Sequence, residues 1–311
     1  MKRVLTAVVL IPVVLLIVFR APLWFFALAV AGIIILALHE YLSIAETAGY
    51  KPFHRLTYAV ALLPTLLVCA EIWNTTARHG LFWNEFSGST SLVKACSILL
   101  LLSPVIFGIP LVFRKDLAAG LSSAAVSIFG VAYVGFSLSL LTALRANAVD
   151  EILVVLVLFS VWAGDIAAYY VGRSIGRHKL APVVSPNKSW EGAVASVIGS
   201  VCIAVLIFHY QWQISEWFAG PWLRKYWLFP TPSSRPFFFV PSIHVILIGV
   251  LTNVAAQFGD LFESALKRGA GIKDSGTMLP GHGGILDRID ALLFAIPVVW
   301  YYAQLTGFLH R

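Results

Sequence analysis

The sequence predicts an all-α, polytopic integral membrane protein, and composition, the spacing of apolar runs and the placement of charge predict it. The chain has 311 residues, 59% hydrophobic and 12% charged. That is about half the charged fraction of a soluble domain. Apolar runs long enough to cross a hydrocarbon core, roughly 17–25 residues each, recur along the whole length with short polar links between them. The formal net charge of +7 is spread over those links. No single basic patch forms, so nucleic-acid binding is a poor explanation and membrane orientation a good one.

Taken in order, the runs predict about nine transmembrane helices near 3–19, 22–39, 56–73, 92–113, 120–144, 151–172, 190–209, 242–266 and 290–308. The first, MKRVLTAVVLIPVVLLIVF, has the polarity of a signal peptide. Arg20, Pro22 and Trp24 follow it in place of a small-residue cleavage site, so a retained span is expected. The link Arg20-Ala21-Pro22 is short enough for spans one and two to form a re-entrant hairpin instead. Trp212, Trp217, Trp222 and Trp227, in the aromatic stretch 210–241, read as an interfacial belt. Cys69, Cys96 and Cys202 lie in or beside apolar runs without disulfide or zinc spacing and read as packing residues. The expected organisation is an N-terminal set of about five spans over 1–150. A second set of about four, over 151–311, carries the polar motifs.

With nine spans, the N-terminus shares a side with the links after spans two, four, six and eight. Lys2, Arg3, Lys51, Arg55, Arg114 and Lys115 lie on that side, as do Arg173, Arg177, Lys179, Lys188, Lys267, Arg268, Lys273 and Arg288. The opposite side has fewer cations, so the first side is cytoplasmic.

The chemistry-bearing residues concentrate on that side. In span eight, Asn253, Gln257, Asp260, Ser264 and Lys267 recur at helical spacing and form one polar stripe, with Glu263 off its edge. Such a stripe faces protein or a water-filled cavity, not lipid. Asn253 and Gln257 also suit plain interhelical hydrogen bonding. The stripe leads into a loop holding Lys267, Arg268, Lys273, Asp274 and His282, with Gly283 and Gly284 able to bring backbone close to a ligand. Asp287, Arg288 and Asp290 follow at the start of span nine, with the two acids three apart on one face. Asp287 and Asp290 by themselves also read as acids that match the helix dipole; together with Asp260 they could border one cavity with the oxygen ligands that Mg2+ prefers. Asp165 lies inside the apolar run of span six, with Tyr169 one helical turn later and Gly172 and Gly176 on roughly the same face; a structural Asp–Tyr or Asp–Arg pair, with Arg173 as the expected partner, and a functional acid carry similar weight. Ser185 suits the N-cap and Pro186 the first position of span seven, which puts Lys188 and Ser189 at a helix N-terminus, where a phosphate site and an ordinary capped helix with a solvated lysine carry about equal weight.

The run from Ser264 to Asp290 resembles the signature of the phosphatidate cytidylyltransferases (CDP-diacylglycerol synthases). The matching positions are Ser264, Leu266, Lys267-Arg268, Lys273-Asp274, Gly276, Leu279-Pro280, His282-Gly283-Gly284, Ile285, Asp287-Arg288 and Ile289-Asp290. Upstream, Ser185-Pro186-Asn187-Lys188 and Glu191-Gly192 resemble another block of that family, and the likeness reaches Asp165. The resemblance implies CTP and phosphatidate as substrates at a lipid bilayer, CDP-diacylglycerol and pyrophosphate as products, and Mg2+ as cofactor. The implied location is the cell inner membrane, with a polar cavity facing the cytoplasm. Asp260, Asp287, Asp290, Lys188, Lys267 and Arg268 would be catalytic. Ser185, Ser189, Ser264, Lys273, His282, Gly283, Gly284, Arg288 and Asp165 would contact substrate. A homodimer is left open. A transporter for an anionic substrate would place functional residues on both faces, and this chain concentrates them on one. Another lipid phosphotransferase is the second alternative, but the Asp-rich single segment of the CDP-alcohol phosphotransferases is absent.

The orientation is testable with single cysteines introduced at Lys179, Gly276 and Ser233. A membrane-impermeant thiol reagent applied to intact cells should label position 233 and leave 179 and 276 unmodified. Labelling of 179 or 276 from outside would show that the spans before them are miscounted.

Overall fold

A computed structural model describes residues 12–79, 88–113, 116–146, 151–211, 213–214, 242–276 and 283–307. Among these the chain is helical apart from one two-stranded hairpin and the connecting turns. Residues 12–20 are helical. They lead into α1 (Leu23–Thr47), α2 (His54–His79), α3 (Gly88–Val112) and α4 (Leu117–Gly130), then a π-helical segment (Val131–Phe136) and α5 (Ser137–Ala146). The second half runs α6 (Glu151–Ile175), β1 (Lys179–Ala181), β2 (Ser185–Ser189), α7 (Trp190–His209), α8 (Ser242–Gly269) and α9 (Leu286–Thr306).

Among the described residues, 6 helical segments are long and apolar enough to cross a membrane: Leu23–Thr47, Leu117–Arg145, Ile152–Ile175, Trp190–His209, Ile243–Gly269 and Leu286–Thr306. The protein is therefore an all-α, polytopic membrane protein. Helix is also present within the other expected spans, at 12–20, in α2 and in α3, whose apolar part is the shorter Cys96–Val112. The tryptophans of the expected belt lie outside the described residues.

Two of the boundaries that differ from expectation bear on the site. Helix α1 runs past 39 to Thr47, where Gly49 adopts φ 92° and closes the helix: Gly49 N–H donates to Glu46 O at 2.9 Å and Tyr50 N–H to Ala45 O at 3.0 Å. Its last turns carry His39, Glu40 and Glu46 yet stay helical, because the two carboxylates find partners within the protein. The second difference is a correction at span seven. Ser185 does not cap a helix; Ser185–Ser189 is strand β2, antiparallel to β1 with Lys179 opposite Ser189 and Ala181 opposite Ser185. The cap is Ser189, whose Oγ accepts Gly192 N–H at 3.2 Å. An N-cap residue takes extended dihedrals, so Ser189 (φ −127°, ψ 156°) ends the strand and starts the helix in one residue. Lys188 thus precedes α7, and the acid Glu191 occupies its first turn, the sign the helix dipole favours.

Helices α6, α7 and α8 form a tight group, and α9 packs along α8. Small residues let the backbones approach, as expected where lipid supplies little driving force for helix association. A Cβ at Gly164 of α6 would run into Asn253 Nδ2 of α8 and stand 2.8 and 2.9 Å from Ser196 and Ser200 Oγ of α7. An aromatic cluster joins the two halves of the chain. Tyr133 has ring centroids 6.1 Å from Tyr41, 5.3 Å from Phe262 and 6.0 Å from Phe294, so it links α1, the π-helical segment, α8 and α9. Each such pair adds about 0.5–1.5 kcal/mol beyond burial.

Gly164→Ala should cost about 1–3 kcal/mol through overpacking, seen as a lower unfolding midpoint in detergent. Gly32→Ala, where nothing lies within 4 Å of the added Cβ, should leave the midpoint unchanged or slightly raised.

Candidate active site

A cleft opens between α6, the β1–β2 hairpin, α7 and α8. Its volume is about 660 Å3, within the roughly 300–1,000 Å3 range of small-molecule sites. Asp165, Tyr169, Gly172 and Arg173 of α6 line one wall, Ser185, Asn187, Lys188 and Ser189 of β2 the mouth, and Gly192, Ser196, Gln257 and Asp260 the rest. The hairpin folds Lys188 back over α8, where its Nζ pairs with Asp260 Oδ2. Both side chains keep about a third of their surface open, 28% and 34%. His178 and Glu191 fasten the base of the hairpin through a 2.7 Å contact, Nδ1 to Oε1.

The upper part of the stripe on α8 is structural. Asn253 Nδ2 donates to Ser196 Oγ at 2.9 Å and Ser200 Oγ at 2.7 Å. Gln257 Nε2 donates to Ala193 O at 3.1 Å and Asn253 Oδ1 at 2.6 Å. These bonds lock α7 to α8 and leave Asp260 as the acid that the stripe delivers to the cleft. Arg173 does not pair with Asp165; its Nη1 donates to Tyr169 Oη at 2.8 Å, one turn back along α6.

A second polar centre lies where α8 meets α9. Lys267 Nζ bridges Glu263 Oε2 and Asp287 Oδ1, each at 2.5 Å. Asp287 Oδ2 accepts Ser275 N–H at 3.0 Å and Gly284 N–H at 2.8 Å. Gly283 serves this arrangement: it sits at φ 77°, and a Cβ there would come 2.6 Å from Asp287 Oδ2. Behind it stands Glu40 of α1, 3% exposed. Its carboxylate accepts Ser275 Oγ–H at 2.8 Å, Ile285 N–H at 2.9 Å and Leu286 N–H at 2.8 Å. A Cβ on Gly284 would drive into both Glu40 and Ser275.

Asp290 joins the two centres. A Cβ on Gly259 would stand 2.5 Å from Asp290 O, so α8 and α9 touch backbone to backbone there. The Asp290 carboxylate interacts electrostatically with Asp260 and Asp165 on the cleft side and with Lys267 on the other. Asp165 and Asp260 line the cleft with the ammonium of Lys188, and Asp290 of α9 approaches through the helix contact at Gly259. This surplus of hard oxygen donors suits Mg2+. Among the described residues, no three His, Cys, Asp or Glu side chains converge closely enough to hold a metal by themselves.

The cleft gathers Asp165, Ser185, Lys188, Ser189 and Asp260. Lys267, Asp287, Gly283 and Gly284 belong to the second centre, where Lys267 pairs with Asp287, Gly284 N–H donates to Asp287 and Gly283 leaves room for the Asp287 carboxylate. Ser264 is half-buried on α8, while Arg268, Lys273 and Arg288 are exposed around the loop; Arg268 Nη1 reaches Ile272 O at 3.5 Å. His282 lies outside the described residues. Sequence reasoning misses Glu40 and Ser275. A signal for Glu40 exists: an acid at the end of an apolar run, the same feature that marks Asp165. An expected span end at 39 hides it, because it places Glu40 outside the helix.

A family model described as the cytidylyltransferase family matches residues 1–306. The chain is 30% identical over 310 residues to a phosphatidate cytidylyltransferase of Synechocystis sp., covering 91% of this chain and 89% of that protein. It is 35% identical over 177 residues to that of Staphylococcus haemolyticus, 57% of each chain. With the Haemophilus influenzae protein of the same name it shares 38% identity over 150 residues, 48% of this chain and 45% of that one. The chain thus spans about half the length of several relatives and nearly all of another.

Removal of the two lysines should separate the centres. Lys267→Met leaves Glu263 and Asp287 buried without their cation and should cost about 3–5 kcal/mol. Lys188→Met breaks a half-open pair and should cost no more than about 1 kcal/mol. Chemical unfolding in detergent measures both.

Proposed function

The chain belongs to the cytidylyltransferase family, and from that premise we propose that it transfers the cytidylyl group of CTP to phosphatidate in phospholipid biosynthesis. A phosphate oxygen of the lipid attacks the α-phosphorus of CTP. The bond from that phosphorus to the bridging oxygen breaks, and pyrophosphate leaves with the electron pair. CDP-diacylglycerol stays in the bilayer. The nucleophile is already an anion, so no strong general base is needed.

The observation that carries this reading is the cleft itself. It places Lys188 on a hairpin beside the capped N-terminus of α7, among acids delivered by α6 and α8. Lys188 exchanges its contact with Asp260 for a phosphate oxygen when substrate enters, and Arg173 at the wall meets a second phosphate group. Arg268, Lys273 and Arg288 surround the loop as further cations for an incoming triphosphate. Lys267 acts differently from the phosphate clamp its position suggests: it is held between Glu263 and Asp287 and orients Asp287.

Asp260, Asp287 and Asp290 would hold Mg2+, with Asp287 sharing its oxygens with Lys267. Magnesium is commonly bound by one or two carboxylates together with substrate phosphates and waters, so no complete protein cage is required. When bound, the ion would neutralise charge developing on the phosphates. We also propose nine spans, the 6 long apolar helices together with 3–19, 56–73 and 92–113, with the cleft open to the cytoplasm at the inner membrane. The distribution of Lys and Arg supports that orientation.

Purified protein with magnesium should convert CTP and phosphatidate to CDP-diacylglycerol and pyrophosphate, and chelation should abolish turnover until magnesium is restored. Turnover of a different lipid–nucleotide pair, with none from CTP and phosphatidate, would overturn the assignment. Asp260→Asn, Asp287→Asn and Asp290→Asn should each lower kcat on the order of 10²-fold or more. Double variants should lose little beyond the singles, because the acids act as one unit. An Asp260→Asn variant with normal turnover and an unchanged magnesium requirement would remove Asp260 from the metal site.

A further inference from the structure

The N-terminus of α9 has no cap of its own. Ile285 holds the N-cap position and makes no side-chain capping bond. The leading N–H groups of a helix must nevertheless find acceptors, most of all where they are buried, as at Leu286. Glu40, on α1 in the other half of the chain, supplies them. Its Oε1 takes Ile285 N–H at 2.9 Å, and its Oε2 takes Leu286 N–H at 2.8 Å together with Ser275 Oγ–H at 2.8 Å. An acid at this end of a helix also matches the helix dipole. Ser275 then passes the constraint on, because its own N–H donates to Asp287 Oδ2 at 3.0 Å. Gly284 sits in the same frame, its N–H on Asp287 and its Cα facing Glu40.

We infer that Glu40 is a positioning residue for cytidylyl transfer: it caps α9 from α1 and, through Ser275 and Gly284, fixes Asp287 relative to Lys267. The inference rests on the function proposed above and adds a role for the N-terminal half. Helix α1 completes the active site rather than merely anchoring it. Glu40 touches no reacting atom, so its effect is on rate through geometry. In Glu40→Gln an amide NH2 replaces one oxygen at equal volume. Whichever oxygen is replaced, one backbone N–H of Ile285 or Leu286 loses its acceptor.

The test compares Glu40→Gln with the unsubstituted protein in detergent. It measures kcat and KM for CTP and phosphatidate, together with hydrogen exchange in peptides covering 283–290. Exchange there should rise, kcat should fall about tenfold or more, and both KM values should stay within about twofold. Adding Asp287→Asn to Glu40→Gln should lower kcat little beyond Asp287→Asn alone. Normal kcat, even with a lowered melting temperature, would make Glu40 merely structural and overturn the inference. Unchanged exchange over 283–290 would overturn it as well. If the unsubstituted protein shows no turnover with CTP and phosphatidate, the proposed function fails, and the exchange measurement still decides whether Glu40 holds α9 and Asp287. If Glu40→Gln does not accumulate folded, Ser275→Ala carries the same readouts. It removes one of the three donors, so a smaller fall in kcat with raised exchange is expected, and no change in either overturns the inference.

Discussion

A buried carboxylate must be surrounded by donors or cations, and in this protein that requirement ties distant segments together. Glu40, Glu263 and Asp287 sit in or beside apolar helices, and each is met by groups the chain itself brings. Lys267 answers two of them, and the backbone at the start of α9 answers the third. A charge left unmet there would cost several kcal/mol, so these contacts dictate where α1, α8 and α9 stand relative to one another. The aromatic cluster of Tyr41, Tyr133, Phe262 and Phe294 fills the space beside them.

The division of labour among the lysines follows from the same logic. Lys267 is enclosed by two acids and works as a strut. Lys188 meets one acid at the open edge of the cleft and is free to exchange it for a phosphate. Two lysines that look alike in a motif therefore have different jobs because one is desolvated and doubly paired and the other is half-hydrated.

Much of this is legible in the amino-acid sequence. Apolar runs set out the helices, and helical spacing places Asn253, Gln257 and Asp260 on one face of α8, where the structure has them. The dual reading of Asn253 and Gln257 resolves to interhelical bonding, since Ser196 and Ser200 of α7 lie opposite. What local pattern does not supply is contact between remote segments. Nothing near Glu40 in the sequence shows that Ser275, Ile285 and Leu286 will meet it. The β1–β2 hairpin escapes for a different reason. Ser-Pro before an apolar run is a good helix start, but the pairing of Lys179 with Ser189 and Ala181 with Ser185 outweighs it and moves the cap to Ser189.

Contacts along their length hold α8 and α9 side by side, from His244 and Tyr302 near one end, through the backbone of Gly259 and Asp290, to Lys267 and Asp287 near the other. Helices tied at both ends and at a middle point tilt as one body. Asp260 and Asp290 leave their helices beside that point. Changes in bilayer thickness or lateral pressure, which tilt membrane helices, would therefore move α8 and α9 together and barely alter the gap between these two acids. A membrane protein whose surroundings are continually remodelled thus keeps the spacing of these two acids by moving their helices as a unit.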